Sequence, residues 1–197
     1  MYEFLKAENV SEFNERRGKL SSKTRWSDFQ IRSAADHVQM VLNTLFGTSN
    51  WTNLTGMRVL DLGCGGGDNR EPWFCRICSA NGADVVGVDI QELPPTNYTH
   101  IQSDLLKMIE NKGHLFELVG ANFNIIHSNQ LFDSPDLIEA LSNYVFADFE
   151  AMRFEQLLFQ QASEILATPG LLFVDSVIYN SVRVIRQTVG GREEFMG

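Results

Sequence analysis

The segment Val59-Leu-Asp-Leu-Gly-Cys-Gly-Gly-Gly67 decides the fold. An almost unbroken apolar run that ends in spaced glycines reads as a strand covered on both faces that enters a tight loop. Outward from it, strands are predicted at 57–62, 84–88, 99–102, 123–127 and 171–174. Helices are predicted between them at 72–80, 105–118, 135–146 and 148–167, the third opened by Ser134 as N-cap and Pro135 at N1. Alternating strands and helices imply right-handed crossovers and a doubly wound, mostly parallel α/β sheet. Upstream, Phe29, Ile31, Ala34, Val38, Val41, Leu42 and Leu45 recur at helical spacing. They predict a helical cap within residues 1–50, ahead of a core at 57–176, in one domain spanning 1–197. Only 22 residues follow Asp175, so the sheet is expected to be reduced at its C-terminal end, with one further strand within 180–189.

Ligands of open α/β sheets bind at the carboxyl ends of the strands, where strand order reverses. The glycine loop lies at such an end, and its spelling narrows the ligand. A dinucleotide G-x-G-x-x-G started at Gly63 or Gly65 would need glycine where Asp68 or Arg70 stands. No G-K-[ST] triplet follows to make a phosphate loop. Both absences favour a ligand without a phosphate chain.

Asp61, Gly63, Gly65 and Gly67 together resemble motif I of the class I (Rossmann-like) S-adenosylmethionine-dependent methyltransferases. Further segments match the family in order: Val85-Val-Gly-Val-Asp89-Ile90, Ile101-Gln-Ser-Asp104-Leu105, Phe123-Asn-Ile-Ile-His127-Ser128-Asn129-Gln130, and Phe154 to Asp175 with its Pro169-Gly170 turn. The resemblance covers residues 57–176. It implies S-adenosylmethionine (SAM) as cofactor and S-adenosylhomocysteine as product. It also implies a binding set of Asp61, Gly63, Cys64, Gly65, Gly67, Asp89, Ile90, Asp104, Leu105 and Ser128. In the family the carboxylate at Asp89 would take the ribose hydroxyls and that at Asp104 the adenine amino group. A plain helix N-cap is the competing reading of Asp104. The chain departs from the pattern after Gly67, where Asp68-Asn-Arg-Glu-Pro72 delays the next helix. Arg70 is expected to compensate with a contact to the SAM carboxylate.

For the chemistry, His127 at the end of the fourth strand is the candidate general base, because its side chain titrates near neutral pH. A packed strand histidine is the alternative, and Asp133 is a second candidate base. The acceptor would be chosen by residues 129–149 and the N-terminal helix, with Trp26, Phe29, Leu131, Phe132, Tyr144, Phe146 and Phe149 as candidate pocket residues. The chain carries a net charge of −9. Residues 1–25 hold six basic and four acidic side chains, so the remainder is more acidic still. That balance disfavours nucleic acid, which needs basic surface against its phosphates. Cys64, Cys75 and Cys78 make no disulfide framework. Cys75-x-x-Cys78 has no second pair to complete a zinc site, so no metal is expected. No apolar run is long enough for a membrane helix, and no secretion signal is apparent, so a cytoplasmic place is expected. The expected activity is methyl transfer to an O or N of a small organic molecule. The alternatives are a non-catalytic SAM-binding member of the fold and a protein methyltransferase.

Overall fold

A computed structural model describes residues 54–65, 72–93, 96–128, 131, 134–174, 177–180, 184–188 and 191–195. The N-terminal cap expected within 1–50 lies outside them, as do Gly67, Arg70 and Asp133. One eight-stranded sheet runs in the order β3-β2-β1-β4-β5-β6-β7-β8. Its parallel part consists of β1 (Arg58–Leu62), β2 (Asp84–Asp89), β3 (Thr99–Gln102), β4 (Phe123–Ser128) and β5 (Leu166–Val174). The order reverses between β1 and β4, which sit side by side although β2 and β3 intervene in sequence. A crevice therefore opens above the tips of β1 and β4.

The apolar runs anticipated as two-sided strands are buried on both sides of the sheet. Val59, Val85, Ile125, Leu171 and Phe173 face one layer, where α1 (Trp73–Ala80) packs with Phe74, Cys75 and Cys78. Leu60, Leu62, Val86, Val88 and Ile126 face the other. That second layer holds α2 (Leu105–Glu110), α3 (Leu115–Val119), α4 (Pro135–Ser142) and α5 (Ala147–Ile165). Arg58 ties down the start of β1: its guanidinium bonds Asp84 and the Ala121 carbonyl and lies 4.4 Å over the Phe123 ring.

Two expectations need correction. The single helix over 105–118 is in fact α2 and α3. Lys112 adopts φ +58°, and Gly113 donates back to the Met108 carbonyl at 2.8 Å, which closes α2 early. The periodicity concealed the break because both helices turn apolar side chains to the same core. Gln161 on α5 bridges the break, accepting from the Leu115 amide at 2.7 Å and donating to the Gly113 carbonyl at 3.2 Å. Replacing Gln161 by Ala should lower stability by about 1–3 kcal/mol, the loss of two partly buried hydrogen bonds. Urea unfolding measures this, and an unchanged midpoint would refute it.

The second correction concerns the C-terminal end, which is not reduced. β6 (Val177–Asn180), β7 (Val184–Thr188) and β8 (Gly191–Phe195) follow β5 as an antiparallel meander. Antiparallel neighbours can be joined by short hairpin turns, whereas a parallel strand needs a long crossover. That is how three strands fit where one was expected. The turn expected at Pro169-Gly170 is instead absorbed into β5, which begins at Leu166. The pairing steps from Phe123–Leu166 to Ile125–Leu171, so the intervening residues of β5 bulge out of register.

Candidate cofactor site

β1 ends at the glycine loop, and β2 ends beside it. Gly63 has φ +69°, and a Cβ there would lie 2.9 Å from Leu131 Cδ1, so both the backbone and the space demand glycine. The Gly63 and Cys64 amides donate to the Val88 carbonyl at 2.8 and 3.1 Å, which fastens the loop to β2. The Gly65 amide donates to Asp89 Oδ2 at 2.9 Å, and the Gln91 amide donates to Oδ1 at 3.0 Å. Thus the two motifs that the sequence separates by a helix meet at one carboxylate. Ser103 donates to the Asp89 carbonyl at 2.8 Å and brings Asp104 alongside. Asp104 caps α2, its Oδ1 accepting from the Lys107 amide at 3.1 Å. The capping function weighed for Asp104 is therefore present. Ile90 is half exposed at the β2 tip, and Leu105 is buried. Ser128 ends β4 with its hydroxyl buried and without a hydrogen-bond partner.

Beneath the loop is a second polar group. Asp61 and His127 are each 3% exposed, neighbours across the β1–β4 pairing. His127 Nδ1 lies 2.7 Å from Asp61 Oδ1. The imidazole stacks on Phe74, with ring centroids 3.9 Å apart, and faces Phe173 at 5.4 Å. This geometry supports the packed reading of His127 over that of a base open to an acceptor. Cys75 Sγ lies 3.4 Å from Asp61 Oδ2.

A family model described as a methyltransferase domain matches residues 31–188. The chain belongs to that methyltransferase family. Fold and family together make it an SAM-dependent methyltransferase of class I. No curated protein matches the sequence. Among solved structures, one described as a ribosomal RNA methyltransferase from Plasmodium falciparum is 17% identical. The match covers 73% of this chain and 75% of that one, with a TM-score of 0.40.

Sequence reading of this methyltransferase missed Phe74, Phe173 and the polar function of Cys75. Nothing local marks them, since each meets His127 or Asp61 only through the tertiary fold. Cys75 and Cys78 were read as a core pair, and both are fully buried. The Cys75 thiol is pushed well above its ordinary range by burial first, then by Cys64 and the Asp61 charge. Burial and the same charge do likewise for Cys78. At Cys64 the neighbouring Cys75 thiol favours the thiolate, but burial and the charges of Asp61 and Asp89 outweigh it, leaving that thiol raised too.

The consequence for this methyltransferase is a pH dependence. The native thiols hold their protons above the pH, about 8.5, at which unfolded cysteine ionises. Their contribution to stability is complete below that pH and is lost as pH rises towards the native values. Urea midpoints should therefore stay level from pH 7 to 8 and fall from pH 9 to 10. Replacing Cys75 and Cys78 by Val should flatten the fall. A fall of the same size in the double variant would refute the assignment.

Proposed function

We propose that the chain binds SAM across the tips of β1 and β2 and transfers its methyl group to an O or N of a small organic molecule. The observation that carries the binding reading is the Asp89 carboxylate, bonded to the Gly65 amide at 2.9 Å. A carboxylate has about four acceptor sites. The Gly65 and Gln91 amides take two, which leaves capacity for a pair of ribose hydroxyls. The buried, unpartnered hydroxyl of Ser128 at the β4 exit also suits a polar ligand. Asp61, Gly63, Cys64 and Gly65 would form the floor, Asp89 and Ile90 the ribose side, and Asp104 and Leu105 the adenine side. Gly67 and Arg70 would complete the methionine side.

When bound, SAM supplies an electrophilic methyl group on a sulfonium. The protein's part is then to hold an acceptor in line, which accounts for much of the rate in such transfers, and to exclude water. A groove of about 450 Å³ adjoins the β2 tip, lined by Ile90, Gln91, Asp136, Glu139, Ala140 and Asn143. Exposed Tyr144, Phe146 and Phe149 follow α4 and offer apolar surface at the turn into α5. The net charge of −9 supports a small acceptor over a polyanion. Among the described residues no helix is long and apolar enough to cross a membrane.

Calorimetry with SAM and S-adenosylhomocysteine tests the cofactor reading. Transfer of labelled methyl to a panel of small amines, phenols and carboxylic acids, with RNA and protein controls, tests the acceptor. Binding without transfer to any acceptor would favour a non-catalytic SAM-binding protein. Transfer confined to RNA or protein would overturn the small-molecule reading.

A further inference from the structure

Four polar contacts run in sequence from β4 to the β2 tip. His127 meets Asp61 Oδ1 at 2.7 Å, and Asp61 Oδ2 accepts from Cys75 Sγ at 3.4 Å. The Cys75 and Cys64 sulfurs converge at Gly87, and Cys64 Sγ, between Gly63 and Gly65, meets the Gly65 carbonyl at 3.4 Å. The Gly65 amide then reaches Asp89. Every side chain in the chain up to Cys64 is more than nine-tenths buried. Space for the thiol pair comes from β2: a Cβ at Gly87 would lie 2.9 Å from both Cys64 Sγ and Cys75 Sγ. The strand thus lacks a side chain at the point where the two sulfurs come together. Phe74, next to Cys75 on α1, stacks on the His127 ring and sets it against Asp61.

We infer that Cys75 and His127 are positioning residues that clamp the glycine loop through Asp61 and Cys64 and so hold the Gly65 amide against Asp89. The loop's other restraints among the described residues are the two amide bonds to Val88, the Gly65 amide on Asp89 and the 3.9 Å approach of Cys64 Sγ to His100 Nδ1. A buried network whose members are all bonded fixes one conformation, because each broken link strands a polar group away from water. The clamp acts on the loop whether or not a ligand is present. Its effect on binding rests on the reading that this loop holds SAM.

The test compares Cys75→Val, which removes the donor, with Cys75→Ser, which keeps one. Cys78→Ala is the packing control, equally buried on the same helix but outside the chain of contacts. Hydrogen exchange of the Cys64 and Gly65 amides in the free protein reads the clamp directly. Exchange should rise about tenfold in Cys75→Val, the equivalent of one net hydrogen bond, and return to within about threefold in Cys75→Ser. Cys78→Ala should lower the melting temperature without raising exchange at these amides. Calorimetry with S-adenosylhomocysteine should show a parallel tenfold loss for Cys75→Val. His127→Leu and His127→Asn form the second pair, expected to behave like Val and Ser respectively. If His127→Leu fails to fold, the cysteine pair decides. Unchanged exchange in Cys75→Val, or an equal rise in Cys78→Ala, overturns the inference. If the wild-type protein binds no S-adenosylhomocysteine, the cofactor reading fails, and the exchange data still judge the clamp.

Discussion

Asp89→Ala should weaken S-adenosylhomocysteine binding by about a hundredfold or more. Hydrogen bonds to a charged acceptor contribute about 1.5–3 kcal/mol each, and two are expected from the ribose hydroxyls. Every 1.4 kcal/mol is about a factor of ten in affinity. The same substitution also frees the Gly65 amide, whose acceptor at 2.9 Å is this carboxylate. Stability without ligand should change much less, because Asp89 is only partly buried and sits at a strand end. The distinguishing measurement is thermal denaturation with and without ligand. At a ligand concentration of about 100 times Kd the wild type should gain about 2.7 kcal/mol, and the variant at the same concentration should gain almost nothing. Affinity within threefold of wild type would remove the ribose function from Asp89.

Asp61→Ala should produce the opposite pattern, a large loss of stability in the free protein. Asp61 and His127 are each 3% exposed, and the substitution leaves the imidazole and the Cys75 thiol without their acceptor. Breaking a buried pair by removing one partner costs about 3–5 kcal/mol. For a protein of this size that lowers the melting temperature by roughly 6–20 °C. Replacing both partners, as in Asp61→Leu with His127→Phe, should recover much of the loss, since apolar side chains of similar volume can substitute for a buried pair. A single-variant loss below about 1 kcal/mol, or a double variant no better than the single, would show that the pair does not act as a unit.

The two predictions also mark where the sequence was readable. The placement of Asp89 at a strand end beside the glycine loop was legible because its signal is local: an apolar strand, then an acid, at a set distance from that loop. The same holds for the parallel half of the sheet, where Val59–Leu62 and Val85–Val88 are almost wholly apolar, Asp61 excepted, and admit few other placements. The Asp61–His127–Cys75 contact was not legible. Its members lie on β1, β4 and α1, and their meeting depends on pairing register and helix placement. The break between α2 and α3 was hidden for a different reason. Lys112 is an unusual residue for positive φ, and after the polar stretch at 110–114 the apolar spacing resumes in helical phase at Leu115. Only one of the three C-terminal strands was legible, because short antiparallel strands joined by tight turns need far fewer residues than crossovers.

The meander beyond β5 sets where this sheet meets its surroundings. Strands lie about 4.8 Å apart, so β8 stands roughly 14 Å from β5. Among the described residues β8 ends the sheet on that side, well removed from the cleft above β1 and β4. A dye or surface tether placed in β8 should leave cofactor traffic undisturbed.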